Sequence, residues 1–112
     1  MNDEFFRDLK PPRAPKEQSL EAKLREWVEM HGWIYLKNQG TQHFPDRTIL
    51  GPNWVAFLEL KRQGQKPRPG QVRAIQSLTK LKHYATWSDS FQACTIFLKA
   101  IDLKHNPIHT KS

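Results

Sequence analysis

Two acidic residues and a lysine occupy a stretch of the sequence that otherwise has the pattern of buried β-strands. Asp46 opens the run DRTIL, and Glu59 and Lys61 end the run WVAFLELK. Because successive side chains of a strand alternate between its faces, Glu59 and Lys61 project from the same side. The turn GPN at 51–53 folds the two runs together and brings Asp46 towards Lys61. Two converging carboxylates beside a lysine indicate a site for a hard cation such as Mg²⁺, with substrate phosphate filling further positions.

A structural explanation of the same residues stays open. Asp after Pro is a common turn pair, and Glu-x-Lys on one strand face is a common exposed ion pair that contributes little stability. His43 is a rival candidate for a general base, although a histidine beside a turn is commonly structural or solvent-exposed. His105 and His109 have i,i+4 spacing, but Pro107 between them breaks the helix that a metal-binding pair would need.

Two predicted helices carry polar side chains at or near their apolar faces. At about 100° per residue, Glu21 lies on the edge of the stripe that contains Leu24 and Val28. Gln71, in the first turn of the second helix, points into the same face as Ile75. A polar side chain in such a place needs a partner. Either a capped helix end or backbone contact supplies it, or Glu21 and Gln71 face the acids on the sheet.

The elements that must position these residues follow the order αβββαβα, which predicts an α/β fold with a mixed sheet flanked by helices. Ser19 and Gly32 are expected to bound the first helix, Pro69 to begin the second, and Asp89 with Gln92 to form a capping box for the third. The predicted helices span 19–31, 69–82 and 89–103, and the predicted strands span 33–38, 46–50, 54–61 and 84–87. The predicted domain organisation is a basic Pro-rich arm at 1–18, one folded domain at 19–103 and a flexible tail at 104–112.

The composition favours a polyanionic partner. The 112 residues include 18 Lys and Arg against 11 Asp and Glu, which gives a net charge of +7. Nucleic acid is the first candidate through phosphate neutralisation, an anionic membrane surface is the second, and an uncommitted basic surface is the third. The single cysteine, Cys94, excludes an internal disulfide and a Cys-rich zinc module. The charged start and the lack of a long apolar run lead us to expect a cytoplasmic protein, with no membrane partner and no small-molecule cofactor.

The order and spacing of these residues along the chain resemble the pattern of a known family. The pattern is Glu21 in the first helix, Lys37 in a strand, Pro45-Asp46, Glu59-x-Lys61, and Gln71 opening a helix. It resembles the virus-type replication-repair nuclease domain (VRR-NUC) of the PD-(D/E)xK nuclease superfamily, whose fold is restriction-endonuclease-like, and the resemblance covers about residues 19–101. This chain departs from the family pattern in two places: His43 stands where a glycine is usual, and Arg68 stands where Ser or Thr is frequent.

The resemblance implies a Mg²⁺-dependent (or Mn²⁺-dependent) DNA endonuclease that hydrolyses phosphodiester bonds. It implies that Asp46 and Glu59 bind the metal together with the carbonyl of Leu60, and that Lys61 orients or deprotonates the attacking water. It also implies that Gln71 supports the site and that Glu21 is an additional metal ligand or lies just behind the ligands.

Basic residues near the predicted site are expected to contact the DNA backbone, although a solvated run of charge is an equal alternative. These residues are Lys37, Arg62, Lys66, Arg68 and Arg73. Stand-alone family members resemble dimeric resolvases of four-way (Holliday) junctions, which act on branched DNA in repair and recombination and include phage proteins. We therefore expect a homodimer, for which four tryptophans make an apolar surface plausible. The alternatives are a flap or restriction-like endonuclease and a non-catalytic DNA-binding protein on the same fold.

Overall fold

The computed structural model describes residues 18–108, and these form one mixed sheet with helices on both faces. The predicted arm, apart from Gln18, and the predicted tail from 109 onwards lie outside the described residues. The order αβββαβα is confirmed. The helices are α1 (Leu20–Met30), α2 (Pro69–Lys80) and α3 (Phe91–His105), and the strands are β1 (Ile34–Lys37), β2 (Arg47–Gly51), β3 (Trp54–Leu60) and β4 (Tyr84–Ser88).

The sheet has the spatial order β1-β2-β3-β4, so the longest strand, β3, is an inner strand as predicted. The tight turn after Gly51 makes β2 and β3 an antiparallel hairpin, with Gly51 paired to Trp54 and Arg47 paired to Leu58. β1 pairs antiparallel with β2, whereas β4 pairs parallel with β3 because α2 carries the chain back across the sheet. The predicted hairpin about residues 51–53 is therefore confirmed.

One face of the sheet forms the core with α1 and α3. Alternate residues of β3 are buried on this face, as period-two alternation predicts, and α1 buries Leu24 and Val28 at the spacing of one helical turn. The other residues of the core are Trp33, Tyr35, Ile49, Trp54, Ala56, Leu58, Cys94, Leu98 and Ile101. Trp33 and Trp54 thus lie inside the protein, so the argument that the tryptophans supply a dimer surface is wrong for these two.

The helix starts predicted at Ser19 and at Pro69 are confirmed, and the cap predicted at Asp89 is wrong. Ser19 caps α1, since its Oγ accepts a hydrogen bond from the backbone of Ala22. The predicted capping box of Asp89 with Gln92 is wrong: Ser90 caps α3 by accepting from the backbone of Ala93. Asp89 Oδ2 instead accepts from the backbone N–H of Gly64, which ties the loop after β3 to the loop after β4.

The second face of the sheet carries α2 beside β4 and leaves the β1 side open. Ile34, Leu36 and Val55 are exposed there. Glu59 belongs to this face by the alternation of β3, and it lies at the end where α2 begins. Within residues 18–108, the structure has no helix with the length and apolar character needed to cross a bilayer.

Candidate active site

The hairpin of β2 and β3 places the two predicted acids opposite each other. β2 begins with Arg47 paired to Leu58, and continuing this register by one residue sets Asp46 opposite Glu59 on the open face. A further contact fixes the arrangement, because the backbone N–H of Leu60 donates to Asp46 Oδ1 at 3.2 Å. The predicted approach of Asp46 to the end of β3 is therefore confirmed, and its basis is strand register.

Glu59 is a buried carboxylate, with only 4% of the residue exposed. Burial raises the pKa of Glu59 first, and the negative charge of Asp46 raises it further. The ammonium of Lys61, 3.6 Å from Glu59 Oε2, opposes this shift but does not cancel it. Ionised Glu59 is thus under-compensated in the protein alone, which is the electrostatic condition that an added cation relieves.

Gln71 performs both of the tasks that its position in the sequence left open. Its Oε1 accepts from the backbone N–H of Arg68 at 2.9 Å, which caps the start of α2. Its Nε2 donates to Glu59 Oε2 at 3.2 Å, which fixes the acid. One amide side chain therefore joins the helix to the sheet at the candidate site. It also caps a helix whose N-cap position is occupied by Arg68, where the family pattern has Ser or Thr.

Arg47 is a site residue that sequence reasoning missed. Its side chain is only 11% exposed, and its guanidinium lies between Asp46 Oδ2 (3.2 Å) and Glu21 Oε2 (3.1 Å). Its Nε donates to the hydroxyl of Tyr35 at 2.8 Å. The signal was present in the strand pattern, because the alternation that sends Asp46 and Thr48 to the open face sends Arg47 towards the core, where a charge needs partners.

Glu21 lies on the far side of Arg47 from Asp46, with both carboxylate oxygens engaged by cations. Oε2 pairs with Arg47, and Oε1 pairs with Lys37 at 2.6 Å. The hydrogen bond from Lys37 lowers the pKa of Glu21 most, and the charge of Arg47 adds to this effect. Lys37, predicted to contact DNA, is therefore also an ion-pair partner, and its side chain remains 46% exposed.

The loop that carries Asp46 is held by side chains from two neighbouring elements. Asn38, which sequence reasoning also missed, receives a hydrogen bond from Thr48 and donates one to the carbonyl of Pro45. His43 has φ 66°, in the left-handed region that glycine favours, which accounts for the glycine usual in the family pattern. The ring of His43 packs on Gly70 so closely that a Cβ there would meet it at 2.6 Å.

The side chains and main chain around Asp46 and Glu59 provide a donor set that fits a hard divalent cation. Among residues 18–108, no three His, Cys, Asp or Glu side chains converge on one point. Two carboxylates and the neighbouring main-chain carbonyl of Leu60 are nevertheless all oxygen donors, and Mg²⁺ is commonly bound through one or two carboxylates while water and substrate phosphate complete its coordination. Burial, and then the charge of Asp46, raise the pKa of Glu59, which agrees with such a site.

A cleft of about 620 Å³ opens beside these residues, between the start of α1 and the ends of β2 and β3. Asp46, Leu60 and Lys61 line one part of it, and Lys23 and Arg62 line another. The remaining predicted DNA contacts, Lys66, Arg68 and Arg73, are exposed on or just after the loop that leaves β3. The structure thus brings Asp46, Glu59, Lys61 and Gln71 together, and it connects Glu21 to them through Arg47.

Comparison with known proteins identifies relatives in sequence and in fold. The chain is 36% identical over 81 residues to "Putative nuclease p44" of Acyrthosiphon pisum secondary endosymbiont phage 1, and the match covers 70% of this chain and 87% of that protein. A solved structure described as "VRR_NUC domain" matches with a TM-score of 0.57 at 22% identity, covering 80% of this chain and 94% of that one. At this identity the structural match shows the fold alone. No protein-family model matches the chain.

Proposed function

Because this chain belongs to the VRR-NUC family of nucleases, we propose that it is a metal-dependent, structure-specific DNA endonuclease that resolves four-way junctions. The observation that carries the proposal is the meeting of Asp46 and Glu59 on adjacent strands, with Lys61 beside Glu59 and with Gln71 holding Glu59 from α2. An ion-paired structural cluster would not need a carboxylate whose pKa is raised first by its burial and then by the charge of a second carboxylate, Asp46.

Asp46, Glu59 and the carbonyl of Leu60 would hold the metal, for which Mg²⁺ or Mn²⁺ has suitable chemistry. When bound, the metal supplies a Lewis acid that polarises the scissile phosphate and lowers the pKa of water. Gln71 restricts the rotation of Glu59 and so keeps its second oxygen directed at the site. Lys61, whose side chain is 16% exposed, can hold a water in line with the phosphate and stabilise the charge that develops there.

Glu21 has a supporting place in this proposal. Both of its oxygens are bound by Lys37 and Arg47, so it acts on the metal site through Arg47 and Asp46. Arg47 lies between Glu21 and Asp46, so direct coordination by Glu21 of a metal held by Asp46 would require Arg47 to move.

The exposed basic residues would contact the phosphates of the DNA backbone on both sides of the cut. Arg62, Lys66 and Arg68 are exposed on the loop that leaves the site, and the bond from Gly64 to Asp89 anchors this loop. Contacts of this kind neutralise phosphates without reading bases, so recognition would follow the shape of the DNA. Lys37 can add to them at the site itself, where its side chain is partly exposed.

Two copies of the chain suit a four-way junction, because a C₂ dimer presents two identical sites to two symmetry-related phosphates. Exposed Ile34, Leu36 and Val55 on the open sheet face offer apolar surface for a second copy, in place of the buried tryptophans. The phage relative supports action as a nuclease. We assign this action to DNA in the cytoplasm of a bacterial host, during repair or recombination.

The proposal is tested by incubating the protein with labelled linear duplex, flap and four-way junction DNA, with and without Mg²⁺. We expect Mg²⁺-dependent paired nicks of opposite strands in the junction, with ligatable products, and no cleavage by Asp46→Asn. Sedimentation is expected to give twice the mass of one chain, and Ile34→Glu is expected to reduce it. Equal cleavage of flaps and junctions by a stable monomer would refute junction resolution, and full activity of Asp46→Asn would refute the site.

A further inference from the structure

The guanidinium of Arg47, beside the candidate metal site, is held by too many contacts to be an incidental surface charge. Arg47 directly follows Asp46 in the chain, yet its side chain turns towards the core and is only 11% exposed. We infer that Arg47 is a positioning residue, which holds the Asp46 carboxylate in the direction from which Asp46 and Glu59 can share one metal ion. The inference rests on the proposed function, because it assigns Arg47 a task in metal binding.

The guanidinium of Arg47 is fixed from three sides. Nη1 donates to the Asp46 main-chain carbonyl at 3.0 Å and lies 3.2 Å from Asp46 Oδ2. Nη2 lies 3.1 Å from Glu21 Oε2, and Nε donates to the hydroxyl of Tyr35 at 2.8 Å. Because a guanidinium is planar and its donors form a rigid fork, these contacts define its plane and its rotation together. Lys37 in turn fixes Glu21, so the anchor extends to β1.

The Asp46 carboxylate is consequently set between two donors. Arg47 binds Oδ2, and the backbone N–H of Leu60 binds Oδ1 at 3.2 Å. Each carboxylate oxygen keeps a free lone pair after one hydrogen bond, so both bonds are compatible with metal coordination. The Asp46 side chain is 35% exposed, and without Arg47 it would have room to turn towards solvent. Arg47 therefore removes rotational freedom that metal binding would otherwise have to remove.

Charge and geometry predict opposite results when Arg47 is changed. If the positive charge of Arg47 were its main effect, it would repel the metal, and its neutralisation would tighten metal binding. If its geometry is the main effect, any replacement that loses the fork weakens metal binding. The charge of Arg47 is shared between two carboxylates, Asp46 and Glu21, which reduces the repulsion. We therefore expect geometry to dominate.

The experiment measures Mn²⁺ affinity by calorimetry on the full chain, without DNA, for wild type, Arg47→Lys and Arg47→Gln. Both variants are expected to bind Mn²⁺ about 10–100-fold more weakly, as is typical when a residue that orients a metal ligand is lost. In parallel cleavage assays, the Mg²⁺ concentration for half-maximal rate is expected to rise, with the rate at saturating Mg²⁺ within a few-fold of wild type. Arg25→Lys is the matched control, because Arg25 also contacts the Tyr35 ring and pairs with a glutamate, but its side chain is 51% exposed.

A second variant keeps the test decisive if Arg47→Lys does not fold. Tyr35→Phe keeps the ring and removes only the acceptor for Arg47 Nε, and a smaller loss of Mn²⁺ affinity in the same direction is expected. Unchanged or tighter Mn²⁺ binding by a folded Arg47→Lys, or by Tyr35→Phe in its place, would overturn the inference alone. A wild-type protein that binds no Mn²⁺ would overturn the proposed function and this inference with it.

Discussion

Replacement of Glu59 by its uncharged isostere separates a functional carboxylate from a structural one. In the metal-free protein, burial and the charge of Asp46 raise the pKa of Glu59, and Lys61 and Gln71 do not restore it. The fold therefore tolerates protonated Glu59 better than ionised Glu59. Glu59→Gln is expected to increase the stability of the metal-free protein at neutral pH while abolishing cleavage.

The sign of the effect follows from linkage. When folding raises the pKa of a carboxyl group, the free energy of unfolding of the protein falls as the pH rises from the unfolded-state pKa to the higher folded-state pKa. Above that range the full loss of stability remains. At neutral pH the wild type carries this penalty, and Glu59→Gln does not. Below the ordinary glutamate range both proteins are uncharged at this position, so the difference in stability between them should vanish.

The expected gain is about 1 kcal/mol, in the range of single stabilising substitutions at functional sites. For a domain of this size it corresponds to a rise in melting temperature of about 4–8 °C. Saturating Mg²⁺ or Mn²⁺ should reverse the order, because a ligand at 100 times its Kd stabilises the protein that binds it by about 2.7 kcal/mol and leaves Glu59→Gln unaffected. Gln63→Glu, exposed near the cleft, is a control for a nearby change of charge.

Thermal unfolding followed by circular dichroism, with EDTA and with metal, measures both effects across pH. A clear loss of stability in Glu59→Gln with EDTA at neutral pH would show that Glu59 serves mainly as a structural partner of Lys61 and Gln71. That result would contradict the site as proposed.

Three further sets of substitutions test other parts of the structure. Gln71→Ala is expected to lower stability by about 1 kcal/mol through loss of the helix cap and to lower cleavage per folded molecule. The control Gln76→Ala, at an exposed position of the same helix, should change neither. If Gln71→Ala cleaves as well per folded molecule as wild type, Gln71 serves only as a helix cap. Glu21→Gln retains an acceptor for Arg47 and should keep most of the activity, whereas Glu21→Ala should not; equal inactivation of both, measured by rates against Mg²⁺ concentration, would favour direct coordination by Glu21. Lys66→Ala with Arg68→Ala should weaken binding to all DNA sequences alike and reduce its salt dependence, measured by titration at several salt concentrations; a change in base preference with the salt slope intact would contradict phosphate contacts.

Local sequence patterns were enough to predict the element order and the pairing that brings Asp46 to Glu59. Both depend on short-range regularities, since strand alternation fixes which side chains share a face and the turn at 51–53 fixes the register. The same alternation placed Arg47 towards the core, although its partners could not be identified from it. Apart from Asp46, these partners lie on α1 and β1, and their identity depends on how those elements pack against β2.

Contacts between groups far apart in the chain depend on how the helices pack against the sheet. Asp89 has the sequence pattern of a helix cap, yet its carboxylate accepts a hydrogen bond from the backbone N–H of Gly64, 25 residues earlier. Ser90 caps the helix instead. Gln71 had one plausible partner within its own helix and another on the sheet, and only the packing of α2 at the end of β3 allowed it to bind both. Local pattern fixes which face a side chain occupies, but the choice among its partners depends on distances that the pattern does not contain.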